Sequence, residues 1–293
     1  MSRKKVLLVV AIALALAAGL IYSAHNVWVQ SAEYIGGSSA YSTLNEYISL
    51  DKDRAGGGSP ASDSGRASGK AADIAPDAPD AAGKKVIQPA HAAEREYDYL
   101  GIVWPNVDFA RLRQINPDIV GWLYAEGMNL SYPVVQAGDN GKYLDTMFDG
   151  TKNKTGCPFL DAGNASDFSD RHSVIYAHNR KDGSMFGRLK LYKEQEFCEQ
   201  HPRILLITPD ARYVMETFSG HVARSDSGAW RIAFSDDAEF ASWREVIRGR
   251  SSIHSDTLPE DGERILTLST CSYEFENARY VVHGVLRKVK LPQ

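Results

Sequence analysis

Ile265-Leu266-Thr267-Leu268-Ser269-Thr270-Cys271 is an apolar run rich in strand-forming residues that ends on a thiol, and Arg279 follows eight residues later. A short polar loop separates the two, and Arg279 opens a second strand-like run. Together they form a closing hairpin, with strands at 264–270 and 280–289. Cys271 and Arg279 then sit at its open end, so their proximity follows from strand pairing alone. A third run, Ser173-Val174-Ile175-Tyr176-Ala177, ends on His178. Its proximity to Cys271 does not follow from spacing and needs the tertiary fold.

Thiol, imidazole and guanidinium are the parts that acyl transfer through a thioester requires. A cysteine attacks as its thiolate. His178 can hold or take the proton and later protonate a leaving amine. Arg279 stays charged at any working pH and can bind a carbonyl or a developing oxyanion. Each residue alone has a plainer reading: a strand-end cysteine as a small buried hydrophobe, a lone histidine or arginine as a solvated surface group. Cys157, before Pro158 in a loop-like stretch, and Cys198, in a mixed helical stretch at 194–199, read as structural.

The rest of the segment follows the same pattern. Strand-like runs occur at 120–124, 132–136, 203–208 and 213–222, the last two joined at Pro209-Asp210. Asp139-Asn140-Gly141 is a turn signal. Helical spacing appears at 106–115, ended by Asn116-Pro117, and at 237–248, where Phe240, Trp243, Val246 and Ile247 form one stripe that Ser235 or Asp236 can cap. Many short strands and few helices predict a mainly β fold, a barrel with peripheral helices.

Upstream, Met1-Ser-Arg-Lys-Lys5 is basic and 6–22 is apolar and free of charge. As a helix it spans roughly 25 Å, slightly under a hydrocarbon core. Candidate cleavage sites put Tyr22 or Gln30 where a small residue is wanted, so the segment reads as an uncleaved signal-anchor. The basic flank places 1–5 in the cytoplasm and the bulk outside. The stretch 23–93 reads as an extracellular flexible linker, dominated beyond residue 36 by Gly, Ser, Ala, Asp and Pro. Within it, 41–50 has room for a short helix. Residues 94–293 make one catalytic domain, large enough for a core without disulfide staples.

The net charge of −4 and the absence of a basic stripe exclude nucleic acid as a natural partner. Three cysteines leave at least one thiol unpaired within the chain, and whether Cys157 and Cys198 pair stays open. There is no HExxH, no zinc-ligand spacing and no GxSxG, which argues against a metal site and a serine hydrolase. No cofactor is called for.

These motifs together resemble the sortases, cysteine transpeptidases of Gram-positive cell surfaces. Thr267-Leu268-Ser269-Thr270-Cys271 matches the TLxTC signature. Ile175-Tyr176-Ala177-His178-Asn179 with Asp182-Gly183-Ser184-Met185-Phe186 is similar to the class B histidine segment, and Asn277-Ala278-Arg279-Tyr280-Val281-Val282-His283-Gly284 to its arginine strand. The helices at 106–115 and 237–248 fit the same class. The resemblance covers about 106–286.

It implies a closed β-barrel of about eight strands, with Cys271 as nucleophile, His178 as acid/base and Arg279 as carbonyl and oxyanion ligand. Ser269, Thr270, Tyr176 and Asn140 are its implied substrate-binding residues. Trp230 stands where a tyrosine is expected and Ser225 near where a threonine is common, so the motif preference stays open. The implied substrates are secreted proteins bearing a C-terminal Asn-Pro-x-Thr-type sorting signal. The implied acceptor is an amine of peptidoglycan precursor or a pilin lysine, with the N-terminal helix in the membrane. Two other readings remain: a secreted cysteine peptidase that only hydrolyses, and a non-catalytic surface β-domain.

Overall fold

The computed structural model describes residues 3–50, 96, 97, 99 and 101–290. The chain opens with α1 (Arg3–Thr43), a 3-10 turn (Leu44–Tyr47) and β1 (Ile48–Leu50), and resumes at β2 (Glu96–Tyr97) and β3 (Pro105–Val107). Then come α2 (Phe109–Ile115), β4 (Ile119–Ala125), β5 (Leu130–Val135), β6 (Phe159–Leu160) and β7 (His172–Tyr176). The last part holds α3 (Gln195–Gln200), β8 (Arg203–Ile207), β9 (Arg212–Ala223), α4 (Asp237–Gly249), β10 (Arg264–Cys271) and β11 (Arg279–Val289).

Eight strands form one ring in the order β10-β7-β6-β5-β4-β8-β9-β11, closed by the β10–β11 hairpin. The expected barrel is therefore present. It is mixed: β10 runs parallel to β7 and β5 parallel to β6, and the other ring pairs are antiparallel. Closure leaves the ring no unpaired edge, and β2 adds to the far end of β11. Inside, Leu123, Val134, Ile175, Leu206, Leu266 and Leu268 are fully buried. Burying each such side chain stabilises the fold by about 1.5–3 kcal/mol relative to leaving it exposed.

A second apolar layer lies between the barrel and α4. Phe240, Trp243 and Ile247 pack on Phe218, Ile265, Val281 and Val285. Asp236 caps the helix by accepting a hydrogen bond from the Glu239 amide at 2.8 Å, as the sequence suggested. This layer also buries His172, His221 and His283. The ring of His172 lies 4.4 Å from that of Trp243, and His221 stacks on His283 at 5.3 Å.

Two elements differ from the sequence expectation. The helix expected from residue 106 begins at Phe109, because Pro105–Val107 pairs with β1 and Asp108 caps the helix through the Arg111 amide. β6 lies next to Cys157 in the stretch read as loop, and its two residues are too short to show a strand period. Cys157, Cys198 and Cys271 are all free thiols.

The stretch read as a linker begins as helix and continues into structure that packs on the domain. Tyr41 is 7 % exposed, Leu44 8 % exposed, and β1 pairs with β3. The remainder, 51–93, lies outside the described residues. Among the described residues no helix is long and apolar enough to cross a membrane. The side chains of 6–13, part of the expected anchor, lie outside that set.

Candidate active site

The hairpin places Arg279 directly opposite Cys271. The parallel pairing of β7 with β10 sets Tyr176 beside Ser269, and two residues further along each strand lie His178 and Cys271. Three hydrogen bonds carry that alignment past the last formal pair. The Ala177 amide donates to the Ser269 carbonyl at 3.2 Å, the Thr270 hydroxyl to the Ala177 carbonyl at 2.8 Å, and the Asn179 amide group to the Cys271 carbonyl at 2.8 Å. The three catalytic candidates thus meet at one mouth of the barrel. All three are half-buried, open enough for a peptide to reach.

His178 is held from its other side. Its Nε2 lies 2.6 Å from the Leu144 carbonyl. A carbonyl only accepts, so Nε2 carries a proton and Nδ1 is the nitrogen left for proton exchange. Gly156 (φ +60°) packs beneath: a Cβ there would come within 3.2 Å of His178 Cδ2 and 2.5 Å of the Tyr143 carbonyl oxygen. After His178 the chain folds back, with the Phe186 amide donating to the His178 carbonyl at 3.0 Å. Arg279 donates from one terminal nitrogen to the Ala278 carbonyl at 3.0 Å. Within the loop between Cys271 and Arg279, Asn277 takes a left-handed turn, φ 60°.

The four other candidates divide into two sets. Ser269 shares the strand face of Cys271, and its hydroxyl accepts the indole N–H of Trp230 at 2.8 Å. Thr270 points to the opposite face and is spent on the β7–β10 seam. Tyr176 and Asn140 meet at a residue that sequence reading missed, Asp161. The Tyr176 hydroxyl donates to its Oδ2 at 2.8 Å and the Asn140 amide to the same oxygen at 3.0 Å. Asn140 in turn accepts the Ala162 amide at 2.8 Å. Burial, then the neighbouring Asp161 charge, pushes the Tyr176 phenol above the ordinary tyrosine range, so it stays a neutral donor. The available signal was weak: an aspartate at the end of a two-residue strand, before Ala162-Gly163. Leu144 was also missed, and for a plainer reason. It acts through a backbone carbonyl, which every residue has.

Among the described residues no group of three or more His, Cys, Asp or Glu is placed to hold a metal ion. The free thiol of Cys271 beside an imidazole and a guanidinium suits covalent acyl transfer, with proton movement through His178 and charge stabilisation by Arg279.

Comparison with known proteins points the same way. The sortase-domain family model matches residues 123–287. Sortase B of Listeria monocytogenes is 32 % identical over 177 residues, covering 60 % of this chain and 72 % of that protein. The Staphylococcus aureus sortase B–substrate complex superposes with a TM-score of 0.60 at 32 % identity, covering 62 % of this chain and 85 % of that one. A structure of sortase B complexed with triglycine gives a TM-score of 0.59, also at 32 % identity, covering 62 % and 86 %.

Proposed function

This chain belongs to the sortase family, in its class B, a family of cysteine transpeptidases; on that premise we propose the substrates, the acceptor and the roles of its own residues. Cys271 passes its thiol proton to Nδ1 of His178 and attacks, as the thiolate, the threonine carbonyl of an Asn-Pro-x-Thr-type sorting signal on a secreted protein. Arg279 holds the carbonyl oxygen as it gains negative charge. His178 protonates the leaving amine through Nδ1 while Nε2 stays on the Leu144 carbonyl. The peptide bond after threonine breaks and a thioester to Cys271 forms. An amine of peptidoglycan precursor, or a pilin lysine, then attacks the thioester and loses its proton to His178; the C–S bond breaks, and the released Cys271 thiolate takes that proton back.

The observation that carries this reading is the junction of two strands. β7 and β10, joined in parallel register, deliver His178 beside Cys271 and Arg279. A relative bound to substrate and another bound to triglycine support a peptide donor and an amine acceptor. Ser269, Trp230, Tyr176 and Asn140 line the wall that receives the signal, and Asp161 fixes the last two. Thr270, on the other face, serves as a strut that sets the height of His178.

The segment 6–22 anchors the enzyme in a Gram-positive membrane, with 1–5 in the cytoplasm and the domain outside. Leu14, Leu16, Leu20 and Ile21 on α1 are each at least 65 % exposed, uncovered by the described residues, and this supports the anchor reading.

The test uses the full chain in detergent micelles with a fluorogenic Asn-Pro-Gln-Thr-Asn-type peptide, with and without triglycine. Cys271-dependent cleavage that yields ligated product when triglycine is present supports transpeptidation. Hydrolysis indifferent to the amine would overturn it in favour of a peptidase.

A further inference from the structure

We propose that the end of α1 is part of the catalytic apparatus, with Gly37 and Tyr41 as positioning residues that hold the loop on which His178 rests. The proposal rests on the reading of His178 as the acid/base group. Tyr41 reaches from α1 into the domain. Its hydroxyl donates to the Gly156 carbonyl at 2.6 Å and accepts the Phe148 amide at 3.3 Å. Both partners lie in the loop joining β5 to β6, the loop that carries Leu144 and packs Gly156 against His178. The ring of Tyr41 also meets that of Tyr132 edge-on at 5.4 Å.

One turn earlier, Gly37 lies on Thr155. A Cβ at Gly37 would come within 2.1 Å of Thr155 Oγ1, so only glycine permits the approach. Thr155 is 2 % exposed, and its hydroxyl accepts from Arg180, two residues after His178. The helix end therefore touches both supports of the histidine: the carbonyl loop on one side and the chain leaving His178 on the other.

The topology adds a mechanical reason. β1 pairs with β3 and β2 pairs with β11, so both ends of 51–95 are fastened to the domain. The route from anchor to active site runs through α1 and 44–50 and bypasses the low-complexity stretch that the sequence suggests as a tether. Docking of the membrane-proximal helix and competence of the site are then one equilibrium, and the enzyme is fully active when the helix end is seated.

Two variants of the full chain in micelles test this beside wild type and Cys271→Ala. Gly37→Ala raises intrinsic helix propensity, so a loss of activity cannot come from a weakened helix. Tyr41→Phe removes one hydroxyl and keeps the ring. Misplacement of a catalytic group at a distance lowers rate by about 10- to 100-fold, and kcat should fall by that much in Gly37→Ala and by about tenfold in Tyr41→Phe, with KM for the peptide within about twofold. The second readout is the His178 Nε2–H proton signal in histidine-labelled chain, identified by its loss in His178→Gln. It should exchange with solvent faster in both variants.

An unchanged kcat together with an unchanged His178 signal would overturn the proposal. So would a fall in kcat that tracks a lower melting temperature while the signal stays as in wild type. Cleavage at a protease site inserted within 51–95 gives an independent check: the pieces should stay together with turnover within about twofold, and their separation would also overturn it. If wild type itself shows no Cys271-dependent turnover, the function reading fails, whereas the His178 signal still decides whether the helix end supports the histidine.

Discussion

His172 and His178 stand on and just past the same strand, six residues apart, in opposite surroundings. His172 is fully buried beneath α4. Its Nδ1 lies 2.7 Å from the Arg231 carbonyl and must donate, so its Nε2 accepts the Thr267 hydroxyl at 2.6 Å. Thr267 in turn accepts Nδ1–H of His283 at 2.6 Å, and every proton in the chain is assigned. Burial pushes His172 down to about 4 and His283 well below the ordinary histidine value, so both are neutral. At the open end of the barrel, His178 has one nitrogen tied and one left for proton exchange, beside a half-buried thiol. The layer beneath α4 spends its histidines on structure, and the open end leaves one with a nitrogen available for proton exchange. What separates them is access to solvent and an untied nitrogen, not residue type.

That contrast can be broken most directly at the mouth. Cys271→Ala should abolish cleavage and ligation, because neither Cys157 nor Cys198, both buried, can reach a peptide. Measurable Cys271→Ala turnover would remove the cysteine from the mechanism. Next in size, Arg279→Ala should cost about 3 kcal/mol of transition-state stabilisation, and Arg279→Lys nearly as much, since a point charge cannot reproduce a planar fork. Comparison of kcat/KM for the two variants decides; near-wild-type activity with lysine would reduce Arg279 to simple charge.

The layer beneath α4 predicts acid sensitivity. His172 and His221 each sit near 4 in the folded chain against 6.5 when unfolded, burial being the main cause. Below pH 6.5 the unfolded chain takes up protons at these sites and the folded chain does not, so stability falls as pH falls towards 4. Between pH 7 and pH 5 each histidine should contribute a loss of about 2 kcal/mol, an upper figure, read by denaturant unfolding. His221 sharpens the comparison because neither ring nitrogen has a hydrogen-bond partner. His221→Phe keeps the stacking on His283 and removes one titrating group. It should be at least as stable as wild type at pH 5 and flatten the pH slope by about one proton; an unchanged slope would mean the site is not the sensor.

The smallest effect falls at the groove wall. Ser269→Ala removes the acceptor of the Trp230 indole N–H. The loss should be about 1 kcal/mol, or roughly fivefold in kcat/KM, with the melting temperature little changed. A full loss of activity would place the serine hydroxyl on the reacting groups instead.

Several parts of this molecule were legible in the sequence because they are encoded within a few residues of each other. The β10–β11 hairpin, the Cys271–Arg279 pair at its end and the Asp236-capped α4 follow from period and capping chemistry. So did the family, through three separated motifs in order. The helix start at Phe109 rather than Asn106 was not legible, because pairing with β1, 57 residues earlier at its central pair, took the preceding residues.

The rest belongs to the tertiary structure. His178 reaches Cys271 only because β7 and β10, 93 residues apart in register, pair in parallel, and a parallel pair needs a long crossover that local pattern cannot announce. Asp161 gathers Tyr176, at the end of β7, and Asn140, in the loop after β5. Leu144 serves through a carbonyl that carries no mark in the sequence. The end of α1 reads as part of a tether by composition, yet its seat on Gly156 and Thr155 is set by the shape of a loop more than a hundred residues away. Local chemistry names the candidate reacting groups; long-range register and backbone contacts, which depend on the closed barrel as a whole, decide that they meet.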